Sequence, residues 1–394
     1  MPDSTTWGLF SIRKISIKDS SMHLITAVGN SDFLLAGLTK LFKEGKKIER
    51  RDQASLELED VVIQLSEPSF RVLDLQDRRD CLAATMFEAC WVLFGENYIS
   101  SLKVYLPRAE DFSDNGKAWR AAYGPRIRAF PIGDIMKTDQ LLEVANLLAH
   151  NPLSRQAFIL IAHPADLTAR GHTKDLPCNL ALHVLLEPDE WNGGQPNFLL
   201  SLKIFQRSMD ILWGSNVNLF TWSLLMEVLS DMIMREDPTR TMKVRPHKYT
   251  HFVSCLHLYE RHWKRAKNLL EKNGMPVGGL WFPAALREFG GSTSPLCLSD
   301  VERLHNVGSA MAQGDGGVPD CPNPLTPVDI ESIFPAQLYD WVSVFQIHQL
   351  LRRGGENAAV QELLAGIRSP VIKTNQTHYV DWTNTRSVSD VPEQ

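Results

Sequence analysis

The stretch from Phe205 to Asn218 constrains this chain more than any other. Before it, the apolar run Phe198 to Phe205 reads as a buried strand; after it, Leu219 to Met234 carries apolar residues at helical spacing. Between the two lie Arg207, Ser208, Asp210, Gly214 and Asn218. An arginine and a serine at a strand end can grip a phosphate through charge-assisted hydrogen bonds. An amide at a helix start can read the donor and acceptor edge of a flat heterocycle. The plainer alternative is a surface turn capped by Ser208 and Asp210. What else the chain brings to the same place decides between them.

The spacing predicts a helix over Ser31 to Phe42, a strand from Leu56 to Leu65 and a helix from Cys81 to Phe94 ended by Gly95. That last helix carries one acid, Glu88, between Phe87 and Trp91, where a carboxylate is costly unless it has partners or a task. A helix is expected over Ile132 to His150, a buried strand over Ala157 to Ala162 and another over Leu180 to Leu186. The polar segment Glu187 to Asn197 reads as a hairpin, so Cys178 and Arg207 should meet at neighbouring strand ends. The basic run Lys43 to Arg51 reads as a solvated helix end. These elements make an α/β class and a single domain over 1–394. Residues 274–327, rich in Gly, Pro and Ser, read as a loop-rich insertion or lid, and 375–394 as an extended polar tail.

The net charge of -5 disfavours a nucleic-acid-binding surface, and no apolar run reaches the length of a membrane span. The N-terminus lacks the order of a signal peptide. Six scattered cysteines without a CxxC pair fit reduced thiols, not a disulfide frame or a metal site. A cytoplasmic protein is expected, in the host cytoplasm if the source is viral.

Several motifs then stand in one order. They are Glu88-x-x-Trp91-x-x-x-Gly95, Tyr123-Gly124, Ser154-Arg155, Pro177-Cys178, Gln206-Arg207-Ser208-x-Asp210-x-x-x-Gly214-x-x-x-Asn218 and His257-x-Tyr259-x-x-His262. Together they resemble the thymidylate synthase superfamily, which includes the pyrimidine nucleotide hydroxymethylases. The resemblance implies a large twisted mixed β-sheet with helices packed on one face, and a homodimer built sheet on sheet. It implies dUMP as substrate and 5,10-methylenetetrahydrofolate as co-substrate, with no metal. By it, Cys178 is the nucleophile that adds to C6 of the pyrimidine, with Arg207 lowering its thiol pKa. Glu88 moves protons and orders water, and Tyr123 and Arg207 complete the catalytic set. Arg51 (or its neighbour Arg50), Arg155 from the partner subunit, Arg207 and Ser208 hold the phosphate. Asn218 reads the uracil, His257 and Tyr259 the sugar, and Asp210, Gly214 and Trp91 the folate. His262 is a structural histidine.

Departures from the family pattern bear on the product. Gln156 replaces a second arginine, Asn179 the histidine after the cysteine, and His163 an asparagine. Trp213 replaces a pocket leucine, while Ala109 and Phe112 fall where two tryptophans normally precede Tyr-Gly. The short apolar closing tail is missing. Three functions follow as candidates: a deoxyuridylate hydroxymethylase, as in phages that replace thymine in their DNA; a thymidylate synthase; and a catalytically silent nucleotide-binding relative. The departures favour water addition, giving 5-hydroxymethyl-dUMP.

Overall fold

A computed structural model describes residues 22–50, 53–78, 80–133, 135–189, 197–274, 296–313, 324–354 and 357–384. The chain opens with β1 (His23–Ala27), α1 (Asn30–Glu44), β2 (Lys46–Arg50), β3 (Gln53–Leu65), α2 (Leu82–Phe94) and the short α3 (Leu102–Tyr105). Next come α4 (Tyr123–Arg128), the hairpin β4 (Phe130–Ile132) and β5 (Met136–Thr138), α5 (Gln140–His150), β6 (Phe158–Leu160) and α6 (Ala165–Thr168). Then follow β7 (Asn179–Pro188), β8 (Asn197–Gln206), β9 (Met209–Asp210), α7 (Gly214–Glu236), β10 (Lys243–Tyr259) and α8 (Trp263–Asn273). The last described helices are α9 (Leu298–Gln313), α10 (Pro327–Ile333), α11 (Tyr339–Arg353), α12 (Asn357–Gly366) and α13 (Pro370–Asn384).

The large sheet runs β1-β3-β10-β8-β7-β6, with β2 on β3 and β9 on β10. It is mixed: β1 with β3 and β10 with β8 are parallel, whereas β3 with β10 and β7 with β8 are antiparallel. Alternation fixes its two faces. Leu182, Val184, Leu200, Leu202 and Ile204 are fully buried on one face, the one that carries α7. Each such side chain stabilises the fold by roughly 1.5–3 kcal/mol. The alternate positions leave Phe158 and Leu160 exposed, and Phe205 is 40% exposed with its ring stacked 5.1 Å from Phe252. In β3 the facing switches at Asp60, whose φ of +55° bends the strand, so that Leu58 as well as Val61 turns inward.

Helix α7 is long and apolar enough to cross a membrane, but 72% of its apolar window is buried. Trp222, Leu224, Leu225 and Val228 lie in the core, which marks it as the central helix of a packed domain. Helix α2 is apolar on nearly all sides because it is covered from two directions, by α7 and by α9. Gly95 ends it in the left-handed conformation, φ +98°.

Several expectations need correction. The helix expected from Ile132 starts only at Gln140, because Asp139 caps it by accepting from Leu141 N and Leu142 N. The basic run is a helix end only at Lys43 and Glu44, which close α1; Lys46–Arg50 form an edge strand, β2, with Lys47 paired to Glu260. Part of 274–327 is the helix α9, not loop: Val301 and Leu304 are fully buried, and Gly308 is small enough to let the helix lie against Phe87. Of the remainder, 275–295 and 314–323 lie outside the described residues, and Pro327 already opens α10. Residues 375–384 are helical, not an extended tail, while 385–394 lie outside the described residues. Gln376 and Val380 are buried in α13, and the Asn375 amide donates to Leu73 O at 3.0 Å. Polar composition concealed this helix because one apolar residue per turn suffices where neighbouring helices close around it.

Candidate active site

The open ends of β7 and β8 position the first functional group. Asn179 pairs with Gln206 across the two strands, and Arg207 N donates to Cys178 O at 2.9 Å. The Arg207 guanidinium continues the bond pattern past the strand end, with Nε to Pro177 O at 2.9 Å and Nη2 to Leu176 O at 3.1 Å. Arginine thus splints the turn that carries Cys178. Its charge pulls the thiol pKa down as expected, but burial pushes harder and Asp175 adds to it, so the net shift is upward. A thiol here is held protonated until more positive charge or a ligand reaches it.

Behind the cysteine is an amide pair. Asn179 is fully buried, and its Nδ2 donates to Asn218 Oδ1 at 2.9 Å. Asn218 stands in the second turn of α7, so a strand residue beside the cysteine sets the orientation of a helix amide. Asn179 N also donates to the Tyr123 hydroxyl at 3.3 Å. Burial raises the Tyr123 pKa, which keeps the phenol neutral and able to donate. Cys178, Arg207, Asn218 and Tyr123 therefore surround one short piece of backbone.

The other flank is built by β9 and β10. Asp210 lies opposite His257 in parallel register, and Ile211 N donates to His257 O at 3.0 Å. Ser208 Oγ is 3.4 Å from His257 Nδ1, and the His257 and Tyr259 rings meet edge-on with centroids 4.9 Å apart. Asp210 Oδ1 accepts from Leu212 N and Trp213 N, which shapes the entry to α7. The fold does not itself require glycine at 214: an added Cβ would meet nothing closer than Asp210 Cβ at 3.9 Å. The space beside Asp210 at this position is open. Trp213 is held by Arg78 and Arg265, whose guanidinium carbons lie 4.7 and 4.6 Å from its ring centre.

On α2, burial pushes the Glu88 carboxyl up to about 7. Trp91 is not open to a ligand from the cleft: it is 1% exposed and its indole N–H donates to Tyr98 O at 2.9 Å. Trp119, which the motifs did not single out, packs edge-on against both Trp91 and Phe112. Its Nε1 donates to Ala109 O at 2.7 Å. The aromatic bulk lost at Ala109 is thus partly returned from ten positions later. The lone tryptophan four residues before Tyr123 was the available signal.

The cations sort by partner. Arg120 and Arg126 are tied to Asp166, and Arg128 to Asp139. Arg50 is held by Glu57 through Nε and Nη2, so it is not a free phosphate donor, and Arg51 lies outside the described residues. Arg155 is exposed in the turn before β6, where its carbonyl lies 3.1 Å from His183 Nε2. His163 is part of its own turn, with His163 N donating to Asp166 Oδ2 and Ala165 N to His163 Nδ1. Among the described residues no three His, Cys, Asp or Glu side chains cluster as metal ligands.

Similarity to known proteins fits this geometry. A deoxyuridylate hydroxymethyltransferase of Delftia phage PhiW-14 is 28% identical over 307 residues, 73% of this chain and 79% of that protein. One of Bacillus phage SP01 is 28% identical over 228 residues, 56% of this chain and 55% of its own length. The match thus spans about half of the second relative. The family model for thymidylate synthase matches residues 35–293, well over half of the chain, from within α1 through α8. With the cysteine, arginine and amide meeting at the ends of β7, β8 and α7, this chain belongs to the thymidylate synthase family.

Proposed function

We propose that the protein is a dUMP hydroxymethylase, which transfers a one-carbon unit to C5 of dUMP and releases 5-hydroxymethyl-dUMP and tetrahydrofolate. The observation that carries this is the meeting of Cys178, Arg207, Asn218 and Tyr123 around one strand end. The names of both phage relatives support the product.

C5 of a pyrimidine is a poor nucleophile, and addition of the Cys178 thiolate to C6 turns it into an enolate carbon. A phosphate gripped by Arg207 and Ser208 would place the base over the cysteine, with Arg155 of a second subunit supplying a further cation across the open sheet face. The exposed Phe205 and Phe158 on that face support a sheet-on-sheet homodimer. Asn218 reads the base: its Nδ2 donates to O4, and its Oδ1, which already accepts from Asn179, accepts again from N3–H. His257 and Tyr259 hold the sugar hydroxyl. Glu88, titrating near neutral pH, is suited to shuttle protons at O4 and at the departing nitrogen. The folate, when bound, supplies the one-carbon unit, with Asp210 and the space above Gly214 fitting its ring. Once C5 has taken the one-carbon unit and lost its own proton, water adds its oxygen to the resulting methylene at C5 and loses a proton, after which C6 releases the Cys178 sulfur. No electron pair comes from the folate as hydride, so it departs as tetrahydrofolate.

Thymidylate synthase is the second possibility, and one observation favours it: Trp119 restores aromatic bulk beside Ala109, where a dry wall would protect a hydride transfer. Incubating the protein with dUMP and methylenetetrahydrofolate and weighing the nucleotide product tests the assignment. A mass gain corresponding to hydroxymethyl supports the proposal, and a methyl gain selects the synthase.

A further inference from the structure

Helix α9 lies beyond the family match and closes a groove against the C-terminal end of α2. The groove has a volume of about 440 Å³ and is lined by Glu96, Tyr98, Ser100, His305, Asn306 and Ser309, with Ser101, Gln313 and the edge of Trp91. This volume falls within the range of small-molecule sites, about 300–1,000 Å³.

Its least economical feature is His305. The ring is 6% exposed and both nitrogens are buried; neither makes a hydrogen bond of good geometry, the adjacent Asn306 side chain coming nearest to one. Stacking fixes its orientation, with the Phe94 ring at 4.1 Å and 13° and the Phe87 ring at 5.7 Å. Leaving such groups unpaired costs about 1–3 kcal/mol, and a phenylalanine would fill the same slot without that cost. Burial lowers the His305 pKa, so the ring is neutral at physiological pH and presents one donor and one acceptor.

The rest of the lining narrows the ligand. Among the described residues no lysine or arginine lines the groove, and Glu96 contributes negative charge, its Oε1 fixed by Asn97 N at 2.8 Å and Tyr98 N at 2.9 Å. A phosphate would be repelled. Hydroxyls and amides suit a ligand with both donors and acceptors, the carboxylate favours N–H groups, and Tyr98, 62% exposed, offers a ring face for stacking.

We propose that this groove is a second binding site, for an uncharged nucleobase or nucleoside bearing N–H donors, separate from the cleft at Cys178. Trp91 of α2, the helix that carries Glu88, lines its edge, so occupancy can stiffen α2 and tune the reaction.

Equilibrium dialysis of the full-length protein against labelled deoxycytidine, deoxyguanosine, deoxyuridine and thymidine, with and without saturating dUMP, tests this. The expected result is one nucleoside per chain that dUMP does not displace, with binding weakened at least about tenfold by His305→Phe and by Ser309→Leu. Turnover of dUMP measured without nucleoside should stay within about twofold in both variants. Absence of saturable binding at millimolar nucleoside, displacement by dUMP, or binding unchanged in both variants would overturn the proposal. His305→Phe keeps the stacking and removes only the unpaired nitrogens, so misfolding does not cloud that comparison. Loss of dUMP turnover in the wild-type protein would count against the proposed reaction while leaving the dialysis result valid.

Discussion

The strand ends around Cys178 and the helical annex from α9 to α13 are built on opposite principles. At the strand ends, polar side chains serve one another: Arg207 caps the Pro177 and Leu176 carbonyls, and Asn179 holds Asn218. Arg207 itself remains exposed and Cys178 half-buried. The annex instead buries apolar bulk against α2, with Val342, Val344, Phe345 and Ile347 fully enclosed. The two regions share α2, which presents Phe87 to α9 while carrying Glu88 one residue later. In the proposed reaction the chemistry stands on strand ends, while the annex packs on the helix that carries Glu88. Variants at the strand ends should change rates with little change in melting, and annex variants should do the reverse.

The largest expected effect is Cys178→Ser. Turnover should fall by several powers of ten while dUMP binding stays nearly intact, because an alcohol is a far weaker nucleophile than a thiolate. A variant keeping more than about a tenth of wild-type turnover would remove Cys178 from its role.

Glu88→Gln comes next, with a loss of about 10²–10⁴ in turnover. The pH profile of the wild type should bend near 7, and the variant should lack that bend. Stability should respond in the opposite sense from an ion-paired acid. The folded state holds the Glu88 proton more tightly than the unfolded chain, so the wild type loses stability relative to Glu88→Gln as pH rises from about 4.5 to 7. The full difference is on the order of 3 kcal/mol, constant above that window. Denaturant titrations of both proteins at pH 5 and pH 8 would reveal it, and parallel curves at the two values would refute the buried acid.

Asn218→Asp should move the preference from dUMP toward dCMP by roughly 1–3 kcal/mol, because a protonated carboxyl can match the amino-bearing edge of cytosine. Side-by-side kinetics decide this, and a wild-type preference for dCMP would sink it.

The smallest effect on chemistry belongs to the annex. A side chain at Gly308 would meet Phe87 at 2.6 and 2.9 Å, so Gly308→Val should destabilise the protein by about 1–3 kcal/mol. Thermal melting should drop while the Km for dUMP is unchanged. An unaltered melting temperature would mean that α9 does not pack tightly on α2.

Legibility from the sequence followed the same division. The meeting of Cys178 and Arg207 at neighbouring strand ends was readable because short polar motifs at strand ends have few ways to be arranged. Trp91 was misjudged because its motif position said nothing of the Tyr98 carbonyl and Trp119 ring that enclose it. Arg50 was a candidate phosphate donor until Glu57 claimed it across the β2–β3 pair, a contact set by register. The annex escaped because α13 is polar in composition, and its buried Asn375 and Gln376 make sense only once Leu73 and the neighbouring helices are in place.

The central claim concerns what fills the last valence of the carbon delivered to C5. The most direct measurement follows the folate during turnover of dUMP, recording absorbance for dihydrofolate while the nucleotide is weighed by mass spectrometry. Hydroxymethylation predicts 5-hydroxymethyl-dUMP accumulating with tetrahydrofolate and no rise from dihydrofolate. Dihydrofolate formed one for one with dTMP would contradict it and make Trp119 part of the wall that keeps water out.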